Sequence, residues 1–451
     1  MFKKILIANR GEIATRIIRA CQELSIKTVA VFSSSDNFSL HVKLADEAIC
    51  IGPAQPKDSY LNIKAIISAA ELSGAEAIHP GYGFLAENEL FSQMCHDHNI
   101  VFIGATPNNI AKMGDKNTAR DTMKAAGVPI VPGSEGLIES EEELKKVAHE
   151  IGYPIIIKAT AGGGGKGMRV VESDSELIPA FNMATNEASA AFGNGAMYVE
   201  KFVKNPRHIE IQVLSDPKGH AVHLFERDCS IQRRHQKLIE ESPSPFISDA
   251  VRQDMANAAI KAATAIQYRG AGTIEFIVDD QQNFYFMEMN TRIQVEHPVT
   301  ECITGTDLIK EQIAIASTNQ CSLIQSSIHQ TGHAIEFRIN AEDPDRAFLP
   351  MPGTLELFLP PGGPGVRVDS HCYPGYKVPP NYDSLLAKVI VWAPTRAECI
   401  ARSKRALNEF IVDGVKTTIP FHLKVLDHPA FIEGNVTTKF IDEHFLATTH
   451  V

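Results

Sequence analysis

The amino-terminal hundred residues alternate short apolar runs with amphipathic stretches. Residues 4–8 read as a strand, residues 13–24 as a helix and residues 28–32 as a second strand. Further strands at 48–51, 77–79 and 101–103, with a helix over 63–72, continue the alternation. That order predicts a parallel sheet wrapped by helices. The turn after the first strand, Ala8-Asn9-Arg10-Gly11-Glu12, has one glycine and lacks G-x-G-x-x-G. A dinucleotide fold with its usual phosphate loop is therefore disfavoured.

A helix over 117–126 ends at Gly127, which suits a C-cap, and the proline-containing stretch 128–133 reads as a hinge or linker. A helix at 142–150 and strands at 154–159 and 168–171 follow, the strands flanking a glycine run. Strands then dominate, at 198–202, 208–214 and 221–227, and after a helix over 250–266 at 272–278 and 284–289. A helix over 308–316 closes this region. Beyond residue 331 prolines and glycines cluster at 350–380, with a helix over 396–410. Domain boundaries fall near residues 115 and 330.

Residues 286–298 carry the densest polar pattern. The even positions are Glu288, Asn290, Arg292, Gln294 and Glu296, while Met289, Thr291, Ile293 and Val295 lie between them. In an extended chain one face would hold two carboxylates, two amides and a guanidinium. That set can hold a metal, fix a small anion and supply a base. Straight, it would span about 27 Å at roughly 3.3 Å per residue. One small site cannot use both ends, so the chain must bend or the row must serve neighbouring sub-sites.

The chain's 451 residues call for two to four sub-domains. Its net charge of −11, with no long basic run, argues against nucleic-acid binding. Eight cysteines without a C-x-x-C pair suggest neither a zinc site nor a disulfide scaffold. The start, MFKKILIANRGE, has too short an apolar run for a signal peptide, and no segment approaches a membrane span. The expected setting is soluble, reducing and cytoplasmic.

Four glycines at 162–165 lie between strands, preceded by Lys158 and followed by Lys166. Exposed backbone N–H groups and close approach suit a polyphosphate. This is not a P-loop, because Gly167 follows Lys166 and a strand comes next. The hairpin expected over 272–289 brings Glu275 opposite or diagonal to Glu288. Two carboxylates among apolar neighbours need a cation or a proton, and beside a phosphate loop they suit Mg2+. His208, Gln232, His235 and Lys237 come from a region of dense polar chemistry that could equally be a basic surface loop. Arg338, alone on a strand, reads by itself as a surface salt-bridge partner.

With those motifs in view, the chain closely resembles biotin carboxylase, the ATP-grasp subunit of acetyl-CoA carboxylase. The resemblance is carried by KILIANRGEIATRIIRA, HPGYGFLAEN, IKATAGGGGKGMRVV, HIEIQV, ERDCSIQRRHQK, FMEMNTRIQVEHPVTE, HAIEFRINAEDP and NYDSLLAKVIV. It spans nearly the whole chain. It implies an α/β enzyme with an N-terminal Rossmann-like parallel-sheet domain over 1–114. An ATP-grasp domain over 115–330 follows, with a mobile lid at about 131–203. A mixed α+β domain over 331–446 completes the implied architecture.

By position, the resemblance implies that Lys116, Lys158, Gly163, Gly164 and Gly165 hold ATP phosphates. Glu200, Lys201 and Val203 would meet the adenine, and His208, Gln232 and His235 would surround the nucleotide. Glu275 and Glu288 would bind two Mg2+ (or Mn2+) ions, with Asn290 nearby. Lys237, Arg292, Gln294 and Val295 would surround bicarbonate, with Glu296 as its base. Arg338 would stabilise the enolate-like oxygen of biotin. Phe202 stands where the family often has Tyr, a mild departure.

The implied reaction phosphorylates bicarbonate to carboxyphosphate and then carboxylates biotin. The chain has no Met-Lys-Met, so a separate biotin carboxyl carrier protein and carboxyltransferase subunits are the expected partners, and a homodimer the expected assembly. Rival readings are the same half-reaction in a pyruvate, propionyl-CoA or 2-oxoacid carboxylase, another ATP-grasp ligase, or a non-catalytic ATP sensor.

Overall fold

The computed structural model describes residues 1–159, 168–192 and 194–446. It divides into two compact units. The larger comprises Met1–Val128, Arg207–Phe276 and the chain from Glu288 onward; the smaller comprises Pro129–Pro206 and Ile277–Met287. One division falls at Val128/Pro129, inside the stretch read as a hinge.

The larger unit begins with the expected parallel sheet. Its central strand Lys4–Ile7 pairs with Lys27–Ser33 on one side and Ala77–His79 on the other, with Glu47–Gly52 and Val101–Phe102 outermost. Covered on both faces, its inner strands are continuous apolar runs. Helix Gly11–Glu23 buries Ile13, Ile17, Ile18 and Cys21, one stripe at helical spacing. Helix Ile63–Ser73 starts where the Asn62 side chain accepts from the Ala65 N–H and ends at Gly74, whose φ of 66° few other residues adopt.

An eight-stranded sheet carries His208, Gln232, Lys237, Glu275, Glu288, Asn290 and Arg338. Its order is Phe284–Asn290, Gly270–Val278, Arg207–Ser215, Ala221–Arg233, Gln236–Ser242, His333–Asn340, Leu385–Ala393 and Val366–Ser370. Beneath its carboxyl-terminal strands lies an apolar core of Phe337, Ile339, Val389, Val391, Leu407 and Phe431. All eight cysteines are free thiols, and six are buried. Among the described residues no helix is long and apolar enough to cross a membrane.

The smaller unit has a three-stranded antiparallel sheet, with Ile155–Ala159 between Met168–Val171 and Met197–Lys201. Leu144 and Ala148 from helix Glu141–Ile151, with Leu177 and Ala184 from helix Asp174–Phe192, join its core. The second of these helices was not legible in the sequence, because Pro179 interrupts its pattern near the start.

The structure decides two readings that the sequence left open. The strand placed at 221–227 runs on to Arg233 and turns back as Gln236–Ser242, so the polar run is no surface loop. Away from the exposed tip, Arg227, Asp228, Ser230 and Gln232 are buried with polar partners, a pattern that composition alone cannot separate from a solvated loop. The polar row at 286–298 bends, one of the two outcomes its length required. The strand ends at Asn290, the chain bends, and a helix begins at His297.

Candidate functional site

The hairpin Ala221–Arg233/Gln236–Ser242 builds one wall of the site. Its tip, Arg234-His235, has φ of 47° and 65° at both positions, which sets Gln232 opposite Lys237 and leaves His235 exposed. A register shift before Glu226, with Phe225 at φ 63°, re-aims the strand so that Arg227 faces Glu210. Arg227 is fully buried. Its guanidinium donates to Glu210 Oε1 (2.6 Å), Gln212 Oε1 (2.7 Å), Gln294 Oε1 (2.6 Å), Thr300 Oγ1 (3.0 Å) and Thr273 Oγ1 (3.1 Å). Five acceptors satisfy a charge that burial alone would make costly.

Lys237 sits among three carboxylates. Its ammonium lies 2.7 Å from Glu210, 3.0 Å from Glu275 and 2.6 Å from Glu296. Burial opposes that charge, but the carboxylates hold the Lys237 pKa well above its ordinary value. Glu296 stands at the start of the helix His297–Thr304, where an anion faces the helix N-terminus. One of its oxygens takes Lys237 and the other lies 3.0 Å from Arg338. Burial works against ionisation of Glu296, yet Lys237 and Arg338 keep its pKa below the usual range. The group is therefore an ionised carboxylate gripped by two cations.

Glu275 is held in the same way. His208 lies 2.9 Å from one oxygen; Lys237, Asn290 Nδ2 and Gln294 Nε2 donate to the other. Against burial, Lys237 and His208 keep its pKa low. Burial and Lys237 also oppose the His208 charge, but Glu275 and Glu210 outweigh them and raise the ring to about 9. Glu288, at the end of its strand, is more exposed, and burial together with the Glu275 charge pushes its pKa up. Lys116, at the start of helix Lys116–Ala125, and His208 pull the other way. Two mutually repelling carboxylates beside the Asn290 amide form an oxygen donor set that fits a hard divalent cation.

Two closer groups of metal-type donors, His208/Glu210/Glu275 and Glu210/Cys229/Glu296, bring one atom from each residue within 4.8 Å. Lys237 already supplies the positive charge at their carboxylates. Arg292 extends from the bend to Glu87 (2.8 Å) and to Asn290 Oδ1 (2.8 Å). The Val295 carbonyl accepts from the fully buried Lys388 ammonium at 2.8 Å. Gln232 donates to the Cys229 carbonyl at 3.5 Å.

The smaller unit holds the remaining predicted residues. Lys158 lies 2.5 Å from Glu200, whose strand runs beside its own, and Lys201 donates to the Gly152 and Tyr153 carbonyls at 2.9 Å. Val203 lies two residues beyond that strand. Gly163, Gly164 and Gly165 lie outside the described residues.

Sequence reasoning missed the residues that hold the named ones: Glu210, Arg227, Glu87, Glu240 and Lys388. For two of them a signal existed. His-Ile-Glu-Ile-Gln-Val alternates so that Glu210 and Gln212 share a face, and the facing strand carries Arg227. Glu87 meets Arg292 from 205 residues away and Lys388 meets Val295 from 93, separations no local pattern announces.

Family models match along the chain: "Biotin carboxylase, N-terminal domain" over residues 1–110, "Carbamoyl-phosphate synthase L chain, ATP binding domain" over 115–324, and "Biotin carboxylase C-terminal domain" over 336–443. The chain is 60% identical to biotin carboxylase 1 of Bacillus subtilis over 445 residues, covering 98% of this chain and 99% of that protein. The biotin carboxylase subunit of a pyruvate carboxylase is similar in structure, with TM-score 0.94, 51% identity and 98% of each chain covered. So is the biotin carboxylase domain dimer of Hydrogenobacter thermophilus 2-oxoglutarate carboxylase, solved with MgADP, ADP and bicarbonate (TM-score 0.85, 50% identity, 98% of each chain).

Proposed function

The chain belongs to the biotin carboxylase family of ATP-dependent ligases, and from that premise we propose that it carboxylates biotin on a separate carrier protein as the first half-reaction of acetyl-CoA carboxylase. The observation that carries the reading is Glu296 gripped between Lys237 and Arg338.

An ionised Glu296 is ready to take the proton of bicarbonate. The freed oxyanion attacks the γ-phosphorus of ATP; that O–P bond forms as the β,γ-bridging bond breaks and ADP leaves. Once protonated, Glu296 no longer neutralises its two cations. Lys237 is then available to the carboxyphosphate, and Arg338 to the biotin ureido oxygen. Carboxyphosphate releases CO2, and its phosphate removes the ureido N–H proton. The nitrogen then bonds to CO2 while Arg338 stabilises the enolate-like oxygen.

Around this centre, Arg292, Gln294 and the Val295 backbone bind bicarbonate, Gln294 being oriented by Arg227. Lys116, Lys158 and Gly163–Gly165 hold the ATP phosphates. Glu200, Lys201 and Val203 meet the adenine; His208, Gln232 and His235 surround the nucleotide. Glu275 and Glu288, with Asn290, would hold Mg2+ or Mn2+, which supplies charge neutralisation for the phosphates. The domain reading of 1–114, 115–330 and 331–446 is supported by the family-model ranges. A lid at about 131–203 is supported by the compact unit built on Pro129–Pro206. A homodimer in the cytoplasm completes the proposal.

Relatives serving pyruvate and 2-oxoglutarate carboxylases are about as similar to each other in identity to this chain, so the acceptor is the term to test. The chain is combined with biotinylated carrier, labelled bicarbonate and either acetyl-CoA or pyruvate carboxyltransferase. Label appearing in malonyl-CoA is the expected result. Label appearing only in oxaloacetate overturns the acetyl-CoA carboxylase assignment.

A further inference from the structure

Arg338 touches two carboxylates, and only one has a place in the chemistry above. Its Nε and one terminal nitrogen converge on Glu240 Oε1 at 2.7 and 2.6 Å, and the same terminal nitrogen reaches Glu296 at 3.0 Å. Glu240 is fully buried on the strand Gln236–Ser242, opposite Glu336 on the neighbouring strand. Its second oxygen, Oε2, is also buried and has no hydrogen-bond partner. The Arg338 carbonyl is pinned by Thr418 Oγ1 and by His422 Nε2, both at 2.8 Å. The backbone is thus fixed from one side and the guanidinium from the other.

A buried carboxylate that shows one oxygen to an arginine and leaves the other unsatisfied is costly as a stability device. It makes sense as a device for aim. During the reaction Glu296 accepts a proton and stops attracting Arg338, so at the moment biotin must be engaged the guanidinium loses one of its two anchors.

We propose that Glu240 is a positioning residue for the carboxylation step, holding the Arg338 guanidinium toward the biotin ureido oxygen while Glu296 is neutral. The inference rests on the role given to Arg338 in the proposed function. Glu240 itself touches neither substrate nor reacting atoms. Losing it lets carboxyphosphate form and decompose without capture by biotin, because Lys237 and Glu296 keep their own contact.

The test compares carboxybiotin formed with ADP released, using the full chain, Mg-ATP, bicarbonate and free biotin. The variants are Glu240→Gln, Glu240→Asp, Arg338→Ala and Arg338→Ala combined with Glu240→Gln. In the Glu240 variants the ratio of carboxybiotin to ADP falls by about tenfold, the effect of roughly one charge-assisted hydrogen bond. Bicarbonate-dependent ADP release without biotin changes by less than about threefold. Glu240→Gln adds no further loss to Arg338→Ala, as a residue acting only through Arg338 requires.

A ratio unchanged in both Glu240 variants, a parallel fall of both rates, or losses that multiply in the double variant overturns the inference while leaving Arg338 in its role. An unchanged ratio in Arg338→Ala overturns the role of Arg338 and this inference with it.

Discussion

At the residue scale the site is a set of buried charges that hold one another in place. Arg227 shows how far this goes, because it never meets a substrate in the proposed chemistry yet touches Glu210, Gln212 and Gln294. Replacing it with Met leaves those acceptors facing an apolar side chain in a sealed space. The expected cost is about 3–5 kcal/mol of stability, the usual result of removing one partner of a buried pair. Denaturant unfolding measures it; a loss below about 1 kcal/mol contradicts the account. Of the residues assigned to the proposed reacting centre, Glu275, Glu288 and Glu296 stood out in the sequence because they break apolar alternation. The sequence did not show Glu240 or Lys388, since a charged residue on an alternating strand looks solvent-facing until the strands on both sides are known.

At the element scale, strands were legible wherever apolar residues ran together. Helix Leu308–Thr318 and strand Ala77–His79 stand where the hydrophobic pattern placed them. The second half of the hairpin after Ala221 was not, because its polar residues outnumber Leu238 and Ile239, the two that join the apolar core. The strand Gly270–Val278 makes a related point. A Cβ at Gly272 would lie 2.6–2.9 Å from the Tyr268 ring, and the Gly272 carbonyl accepts from Gln212. Gly272→Ala therefore pushes either the ring or the strand that carries Thr273 and Glu275. An overpacking cost of about 1–3 kcal/mol is expected, with kcat lowered more than a surface substitution lowers it. Thermal unfolding and steady-state turnover together test this, and wild-type values of both would contradict it.

At the scale of the molecule, burial leaves a pH signature. His41, His79, His371 and His422 all lie in the larger unit, and burial pushes their rings down to about 4, 3, 3 and 4. The unfolded chain protonates these rings near pH 6.5, whereas the folded one does not. Stability therefore falls as pH drops below about 6.5, by about 1.4 kcal/mol per unit for each ring until its folded value is reached. Glu240, pushed up to about 7 by burial, contributes the opposite sign between there and its unfolded value. Ring resonances followed by NMR should show all four histidines neutral in the folded protein at pH 5. Titration near 6.5 would contradict their burial. The parallel sheet of the first hundred residues was legible because its short apolar strands alternate with amphipathic helices. The central claim joins these parts into one reaction, and ADP release tests it most directly. Purified chain is given Mg-ATP, with bicarbonate and free biotin each omitted in turn. The account predicts stimulation that requires bicarbonate and rises further with biotin; turnover indifferent to both would contradict it.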